Sequence, residues 1–311
     1  MKKISIVVPV YFNDMNLEDL YEDMKVNLLP FVDDYEIIFV DDGSEDQSNN
    51  IIRKFIDEND KIRLVQLSRN FGAHSAMLAG FSVAKGDCVA IKMADLQEPS
   101  QLVVDMYNKW KEGYKVVLGV RKERNESFII KFFSNTYYWV MRKMALASMP
   151  KGGFDCFLAD KKVIKVILAM EEKNSTLMGQ VLWCGFSRTE VYYTRLAREK
   201  GESKYTLAKK VKLFIDSLLS FSFFPIRFIS ALGVLIFMAA FVMLSEIIIK
   251  RFTVGYAVDG WASLMVINLF CFSIILLTLG IIGEYLWRTL DASRTRPIYI
   301  IDDIVENKKS K

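Results

Sequence analysis

Cysteine and histidine are scarce in this chain: 311 residues hold four cysteines and one histidine. Cys88, Cys156, Cys184 and Cys271 stand far apart without Cys-x-x-Cys spacing, which excludes a zinc ribbon or a disulfide framework and reads as free thiols in a reducing compartment. The lone histidine, His74, follows Phe71-Gly72 at a helix start and reads as structural. Internal repeats and low-complexity tracts are absent, so repeat architectures and compositionally disordered segments do not apply. The chain opens on two lysines and then a strand, without the charged, apolar and small-residue regions of a signal peptide, so the first domain is expected to stay in the cytoplasm. A net charge of +4 comes without a nucleic-acid-binding signature, and suits positive-inside loops and attraction to anionic headgroups.

Hydrophobic residues, in contrast, make up 52% of the chain, high for a soluble protein, and the excess is concentrated near the end. Residues 228–249 carry no charge before Glu246; at about 1.5 Å per residue they extend roughly 33 Å, enough to cross a bilayer. A second run, 261–287, carries only Glu284 and has Trp261 and Trp287 at its limits as interfacial anchors. With Lys250 to Gly260 between them, the two runs predict a transmembrane helical hairpin. Arg227 before the first span, and Arg288, Arg294, Arg296, Lys308, Lys309 and Lys311 after the second, outweigh Lys250 and Arg251 in the loop, which places both termini in the cytoplasm.

The first hundred or so residues alternate strand and helix signals. Strands are expected at Ile4–Val8, Glu36–Val40, Arg63–Leu67, Cys88–Met93 and Lys115–Val120, with helices from about Leu17 to Leu29, Asp46 to Glu58 and Ala73 to Ala84, and another from near Pro99. This pattern predicts βαβ units and a parallel sheet covered by helices on both faces. Residues 121–142 are basic and aromatic without a clean period and read as a mobile or membrane-facing segment. Lys209 to Phe224 pairs a basic start with a Leu/Phe-rich remainder, as in a helix lying in the membrane interface. Pro297 to Ile304 reads as one β-strand, whose edges could be paired by a neighbouring subunit. The expected organisation is therefore a catalytic domain over 1–208, an interfacial helix over 209–224, the hairpin over 225–290 and a cytoplasmic strand and tail over 291–311.

The stretch Tyr-Glu-Ile-Ile-Phe-Val-Asp-Asp-Gly-Ser, residues 35–44, empties an apolar strand directly into two carboxylates, a glycine and a hydroxyl. Open α/β sheets bind ligands at the carboxyl ends of such strands. Asp-Gly-Ser is also ordinary turn chemistry, with Ser44 able to cap the next helix, but two adjacent carboxylates favour a nucleotide site. Pro9-Val-Tyr-Phe-Asn13, Val40-Asp-Asp-Gly-Ser44, Leu67-Ser-Arg-Asn-Phe-Gly72 and Ala94-Asp-Leu-Gln-Glu-Pro99, all ahead of two C-terminal spans, resemble the family 2 glycosyltransferases of GT-A fold. Within that family the chain is similar to the polyprenyl-phosphate glycosyltransferases.

The resemblance implies an α/β GT-A fold, a Rossmann-like and mostly parallel sheet, followed by an interfacial helix and two transmembrane helices. It implies transfer of one sugar, with inversion, from a nucleotide-sugar to polyprenyl (undecaprenyl) phosphate at the cytoplasmic face of a bacterial inner membrane, by a homo-oligomer, specifically a tetramer. By association the donor is a UDP-hexose such as UDP-glucose, or a UDP-N-acetylhexosamine. Pro9, Tyr11, Asn13, Asp41, Asp42, Ala94, Asp95 and Gln97 are expected at the nucleotide-sugar. Asp41 and Asp42 can accept hydrogen bonds from base or ribose, and Asp95 and Gln97 supply oxygens for Mg²⁺ or Mn²⁺ against the diphosphate. Where the family usually has a further Asp, two positions before Asp95, this chain has Met93. Asp155, in Gly152-Gly-Phe-Asp-Cys-Phe-Leu158, matches the proposed catalytic base, with Asp160 the competing carboxylate. Arg195, Arg198, Ser203 and Lys204 match the segment that would bind the acceptor phosphate, with Arg121, Arg124 and Lys131 weaker candidates for that phosphate or the donor diphosphate.

Other readings make different demands. A polysaccharide synthase would need more spans and a Gln-x-x-Arg-Trp motif, whereas Gln180 is followed by Val-Leu-Trp. A membrane-anchored scaffold, a transferase disabled at Met93, would have no use for Asp95, Gln97, Asp155 and a basic acceptor segment. A transporter would need more intramembrane polar groups than Glu246, Asn268 and Glu284.

Overall fold

The computed structural model describes residues 1–122, 128–196, 207–253 and 260–307. Arg124, Arg198, Ser203 and Lys204 lie outside them. The described chain divides into two units, one of residues 1–220 with 296–311, the other of residues 221–295.

The first unit is built on β1 (Lys3–Val10), α1 (Asp14–Asn27), β2 (Asp34–Asp41), α2 (Ser48–Glu58), β3 (Ile62–Leu67), α3 (Ala73–Val83), β4 (Cys88–Ile91), α4 (Ser100–Lys111) and β5 (Val116–Arg121). It continues through α5 (Phe128–Met144), β6 (Cys156–Asp160), α6 (Lys161–Met170), α7 (Leu177–Trp183), β7 (Arg188–Tyr193) and α8 (Leu207–Phe221), and closes with β8 (Ile301–Glu306). Eight strands form one sheet in the order β7-β5-β6-β4-β1-β2-β3-β8. β1, β2, β3 and β4 are mutually parallel, β5 and β7 are parallel, and β6 and β8 run antiparallel to their neighbours. Chain order reverses between β1 and β4, and the carboxyl ends of the parallel strands meet on one edge, the topological switch point where such sheets bind ligands.

The sequence explains the layering. Ile4, Ile6 and Val8 of β1 and Ile37 and Phe39 of β2 pack with Leu17, Leu20 and Met24 of α1 and Leu102 and Met106 of α4. The intervening positions, Val7, Ile38 and Val40, are equally buried, because helices cover the other face too. A two-sided sheet therefore reads as continuous apolar runs.

The structure adds detail to two expectations. Within the basic, aromatic stretch, residues 128–142 fall on the helix α5. On this helix Tyr137 meets Phe214 of α8 with ring centroids 5.8 Å apart, Tyr138 packs on Gly153 and Met141 is buried, whereas Trp139 is exposed. The terminal strand has a partner within its own chain: β8 lies antiparallel to β3, with Arg63 opposite Glu306 and Val65 opposite Ile304. One of its edges is thus satisfied within the chain, and the other forms the outer edge of the sheet. Deleting residues 296–311 is expected to unpair β3 and remove the partner of the Arg63–Glu306 contact, lowering the thermal midpoint by several degrees; an unchanged midpoint by scanning calorimetry would count against this pairing.

The second unit holds α9 (Phe224–Thr253) and α10 (Trp261–Ser293). Both are long and apolar enough to cross a membrane, over Phe224–Met243 and Phe270–Ser293. Leu235 and Phe237 on α9, and Leu276 and Leu286 on α10, are exposed by more than 60% each, on helices that are apolar all round.

Candidate active site

The carboxyl edge of the sheet gathers three loops, each braced by polar contacts. After β1, Phe12 takes a left-handed conformation (φ 53°); its N–H donates to Ser44 Oγ at 3.1 Å, and the Tyr11 N–H donates to Asn13 Oδ1 at 2.9 Å. Ser44 therefore ties two strand-end turns together and does not cap α2, which begins at Ser48. After β2, Asp41 accepts the Ser44 N–H at 3.1 Å and Asn49 Nδ2 at 3.0 Å. Asp42 accepts the N–H groups of Phe71 and Gly72 at 2.7 and 2.8 Å. Burial raises the Asp42 carboxyl above its usual range, and the adjacent Asp41 charge adds to this. Gly43 (φ +76°) lets this turn close on the 69–72 segment: a Cβ there would lie 2.9 Å from Arg69 C and Asn70 N. Pro9 sits in β1 opposite Val40.

The loop after β4 carries Ala94, Asp95 and Gln97, with Leu96 also left-handed (φ 57°). Such outliers concentrate where a site fixes its backbone. Gln97 N–H donates to Asp95 Oδ1 at 3.3 Å. Arg195 is drawn onto this loop: its Nη2 donates to Gln97 Oε1 and lies 3.9 Å from Asp95 Oδ2. The neighbouring backbone fixes the approach, with Leu196 N–H donating to the Gln97 carbonyl at 2.9 Å and Gln97 Nε2 to the Leu196 carbonyl at 3.3 Å. Among the described residues, no group of three or more His, Cys, Asp or Glu side chains converges as a metal site would require. A divalent ion held by Asp95 and Gln97 would compete with Arg195 for the same oxygens.

Beneath the loop lies a charged cluster to which sequence reading assigns no role. Lys92 is fully buried; its Nζ donates to the Glu98 carbonyl and lies 3.9 Å from Asp23 Oδ2, which also accepts from Ser100 Oγ at 2.6 Å. Burial pushes the Glu98 carboxyl up to about 7, with the Asp155 and Asp95 charges adding and Lys92 opposing. The signal was present in the sequence: a lysine interrupting the apolar run Val-Ala-Ile-Lys-Met-Ala has no reason to be buried unless something anionic waits for it.

Asp155 lies just before β6, whose antiparallel direction puts its start at the carboxyl end of β5 and β7. There Arg121, the last residue of β5, grips it with a two-pronged contact: Nη2 donates to Oδ1 at 2.7 Å and Nε to Oδ2. Tyr193, the last residue of β7, donates its hydroxyl to Oδ2 at 2.8 Å. Burial, then the Asp155 charge, raises the Tyr193 phenol well above its ordinary range and keeps it protonated as a donor. Gly153 (φ +68°) opens the turn before Asp155, where a Cβ would overlap the Tyr138 ring at 2.1 Å.

Asp160, the competing carboxylate, ends β6 opposite Cys88 at the far edge of the sheet. It caps α6 through Lys162 N–H at 3.0 Å and accepts Trp110 Nε1 at 3.0 Å and Lys115 Nζ at 2.9 Å, a structural assignment. His74 accepts the Leu177 N–H on Nδ1 at 3.1 Å, and burial lowers it to about 4, so the ring stays neutral near pH 7. Lys131 falls on α5, its side chain outside the described residues.

The family model Glycosyl transferase family 2 matches residues 5–151. An undecaprenyl-phosphate 4-deoxy-4-formamido-L-arabinose transferase of Proteus mirabilis is 32% identical over 99% of this chain and 96% of its own length. A bactoprenol glucosyl transferase of Shigella phage SfV is 30% identical over 99% of this chain and 100% of its own. A mannosyl-3-phosphoglycerate synthase from Rubrobacter xylanophilus superposes with a TM-score of 0.50 at 15% identity, over 75% of each chain, a likeness of fold alone. The mostly parallel sheet with its mixed edge is the GT-A architecture, and with relatives this similar over nearly its whole length, the chain belongs to the family 2 glycosyltransferases.

Proposed function

We propose that this glycosyltransferase moves one sugar from a UDP-sugar to polyprenyl phosphate at the cytoplasmic face of the inner membrane. The observation that carries this reading is the meeting of Asp41–Asp42, Asp95–Gln97 and the Asp155–Arg121–Tyr193 group on one sheet edge. The same chain carries two helices long enough to cross a membrane. The names of the two relatives, one acting on undecaprenyl phosphate and one on bactoprenol, support the acceptor; they differ in the sugar, which is why none is assigned.

In this reading the nucleoside rests on the loops after β1 and β2, and the diphosphate against the loop after β4. The acceptor phosphate is already ionised near neutral pH and needs no base to strip a proton. Its oxygen attacks the anomeric carbon as the bond from that carbon to the donor phosphate breaks, with inversion, and the electron pair leaves on UDP. One negative charge moves from acceptor to leaving group, so the protein's task is to position the two anions and screen them. Arg121, braced by Asp155 and Tyr193, holds the attacking phosphate; Asp155 acts by fixing that guanidinium and the angle of attack. Arg198, Ser203 and Lys204 extend the acceptor site in the segment leading to α8.

The test is to incubate the purified full-length protein and undecaprenyl phosphate with a panel of radiolabelled UDP- and GDP-sugars, then extract lipid. One UDP-sugar is expected to label the lipid fraction. No label from any donor would overturn the assignment, and label from GDP-sugars alone would overturn the choice of nucleotide.

A further inference from the structure

The two oxygens that a divalent cation would need are directed at a guanidinium. Arg195 Nη2 donates to Gln97 Oε1 and stands 3.9 Å from Asp95 Oδ2. This is not a chance excursion of a long side chain, because the Leu196 N–H and carbonyl are both bonded to Gln97 and fix the register of the segment that carries Arg195. The position two before Asp95 offers the thioether of Met93, a soft group that hard cations such as Mg²⁺ do not favour. The nearby Glu98 carboxylate is buried, next to the loop's internal ammonium, Lys92. What remains for a metal is one carboxylate and one amide, both already beside a permanent positive charge.

We propose that Arg195 stands where a metal ion would otherwise stand: it is the cation that meets the donor diphosphate, and sugar transfer proceeds without a divalent metal. The proposal rests on the donor reading given above. Chemically the exchange is sound. A guanidinium donates in a planar fork to two phosphate oxygens, stays charged at any working pH, and screens the charge that arrives on UDP as the glycosidic bond breaks. Asp95 and Gln97 then act as positioning residues, aiming Arg195 at the diphosphate. No proton, electron or co-reactant beyond the two substrates is required.

The experiment uses the full-length protein in detergent, stripped of metal and held in excess EDTA, with the donor identified by the panel and undecaprenyl phosphate. Turnover is expected to stay within about threefold of that with Mg²⁺ or Mn²⁺ added. UDP affinity by calorimetry is expected to be unchanged by either metal. Arg195→Ala should weaken UDP binding roughly ten- to a hundredfold, the size of a lost charge-assisted contact to phosphate, with Arg195→Lys recovering part of it. Combining Arg195→Ala with Met93→Asp should restore UDP binding only when Mn²⁺ is present. Loss of turnover in EDTA with recovery on adding Mg²⁺, or UDP affinity in the unaltered protein that rises tenfold or more with Mn²⁺, would overturn the proposal while leaving the transferase reading intact. Should no donor label lipid with or without metal, the transferase reading fails, and the UDP titrations with and without Mn²⁺ still decide the role of Arg195.

Discussion

Asp155→Asn is expected to lower turnover by roughly a hundredfold or more while UDP binds almost as tightly as before. The carboxylate accepts Arg121 through both oxygens and Tyr193 through one of them. An asparagine keeps one acceptor and turns an N–H₂ group toward a guanidinium that can only donate, so the fork opens and Arg121 loses its orientation. Misplacing an attacking group by about 1 Å can cost on the order of a hundredfold. The Asp41, Asp42 and Asp95 loops lie on other strand ends, so the donor site is not disturbed. Turnover is read from lipid labelling and donor affinity from calorimetry with UDP. Normal turnover, or loss of UDP binding, would remove Asp155 from the acceptor role.

The largest stability effect is expected at the opposite edge of the sheet. Arg63 and Glu36 form a buried ion pair, both less than 10% exposed. Glu36 Oε1 also accepts Ser5 Oγ at 2.5 Å and the Lys85 N–H at 2.6 Å, and Arg63 Nη2 donates to the Val83 carbonyl at 3.1 Å. Arg63→Met keeps much of the volume but leaves the buried carboxylate with only the partly exposed Lys3 ammonium, 3.8 Å away, as counter-charge, a change that costs about 3 kcal/mol, the low end for breaking a buried pair. Removing both charges with a Glu36→Leu partner should return much of that loss. Burial alone would raise the Glu36 carboxyl; the Ser5 hydroxyl, Arg63 and the Lys85 N–H outweigh it, so its folded value lies below 4.5. A depressed carboxylate contributes stability that is present above its unfolded value and is lost as pH falls through the folded one. The Arg63→Met protein should accordingly lack the part of the acid sensitivity below pH 4.5 that comes from this residue. Thermal midpoints measured across that range check both statements, and a single variant as stable as the unaltered protein would contradict them.

The repeating strand–helix pattern was legible because each buried strand is a plain apolar run that stops at a polar turn, as in residues 35–44. The long apolar helices α9 and α10 were legible for the same reason on a larger scale: only Glu246 and Glu284 interrupt residues 228–249 and 261–287. Asp41, Asp42 and Asp95 could be placed at strand ends by position alone. Illegible were the contacts between distant segments. Arg195 meets Gln97 across 98 residues, and Tyr193 meets Asp155 across 38; no local period encodes either. The helix α5 was missed because its aromatic side chains blur the polar face that betrays an amphipathic helix. The partner of β8 was missed because a strand's edge reveals that it needs pairing but not with which chain.

The most direct measurement of the central claim is the composition of the lipid made in a single turnover, by mass spectrometry of the extracted product with the anomeric configuration read by NMR. Displacement at the anomeric carbon by the acceptor phosphate predicts a polyprenyl monophosphate bearing one sugar, inverted relative to the donor, with UDP as the co-product. A lipid diphosphate-sugar with UMP released would mean attack at phosphorus, and would contradict the chemistry assigned to this site.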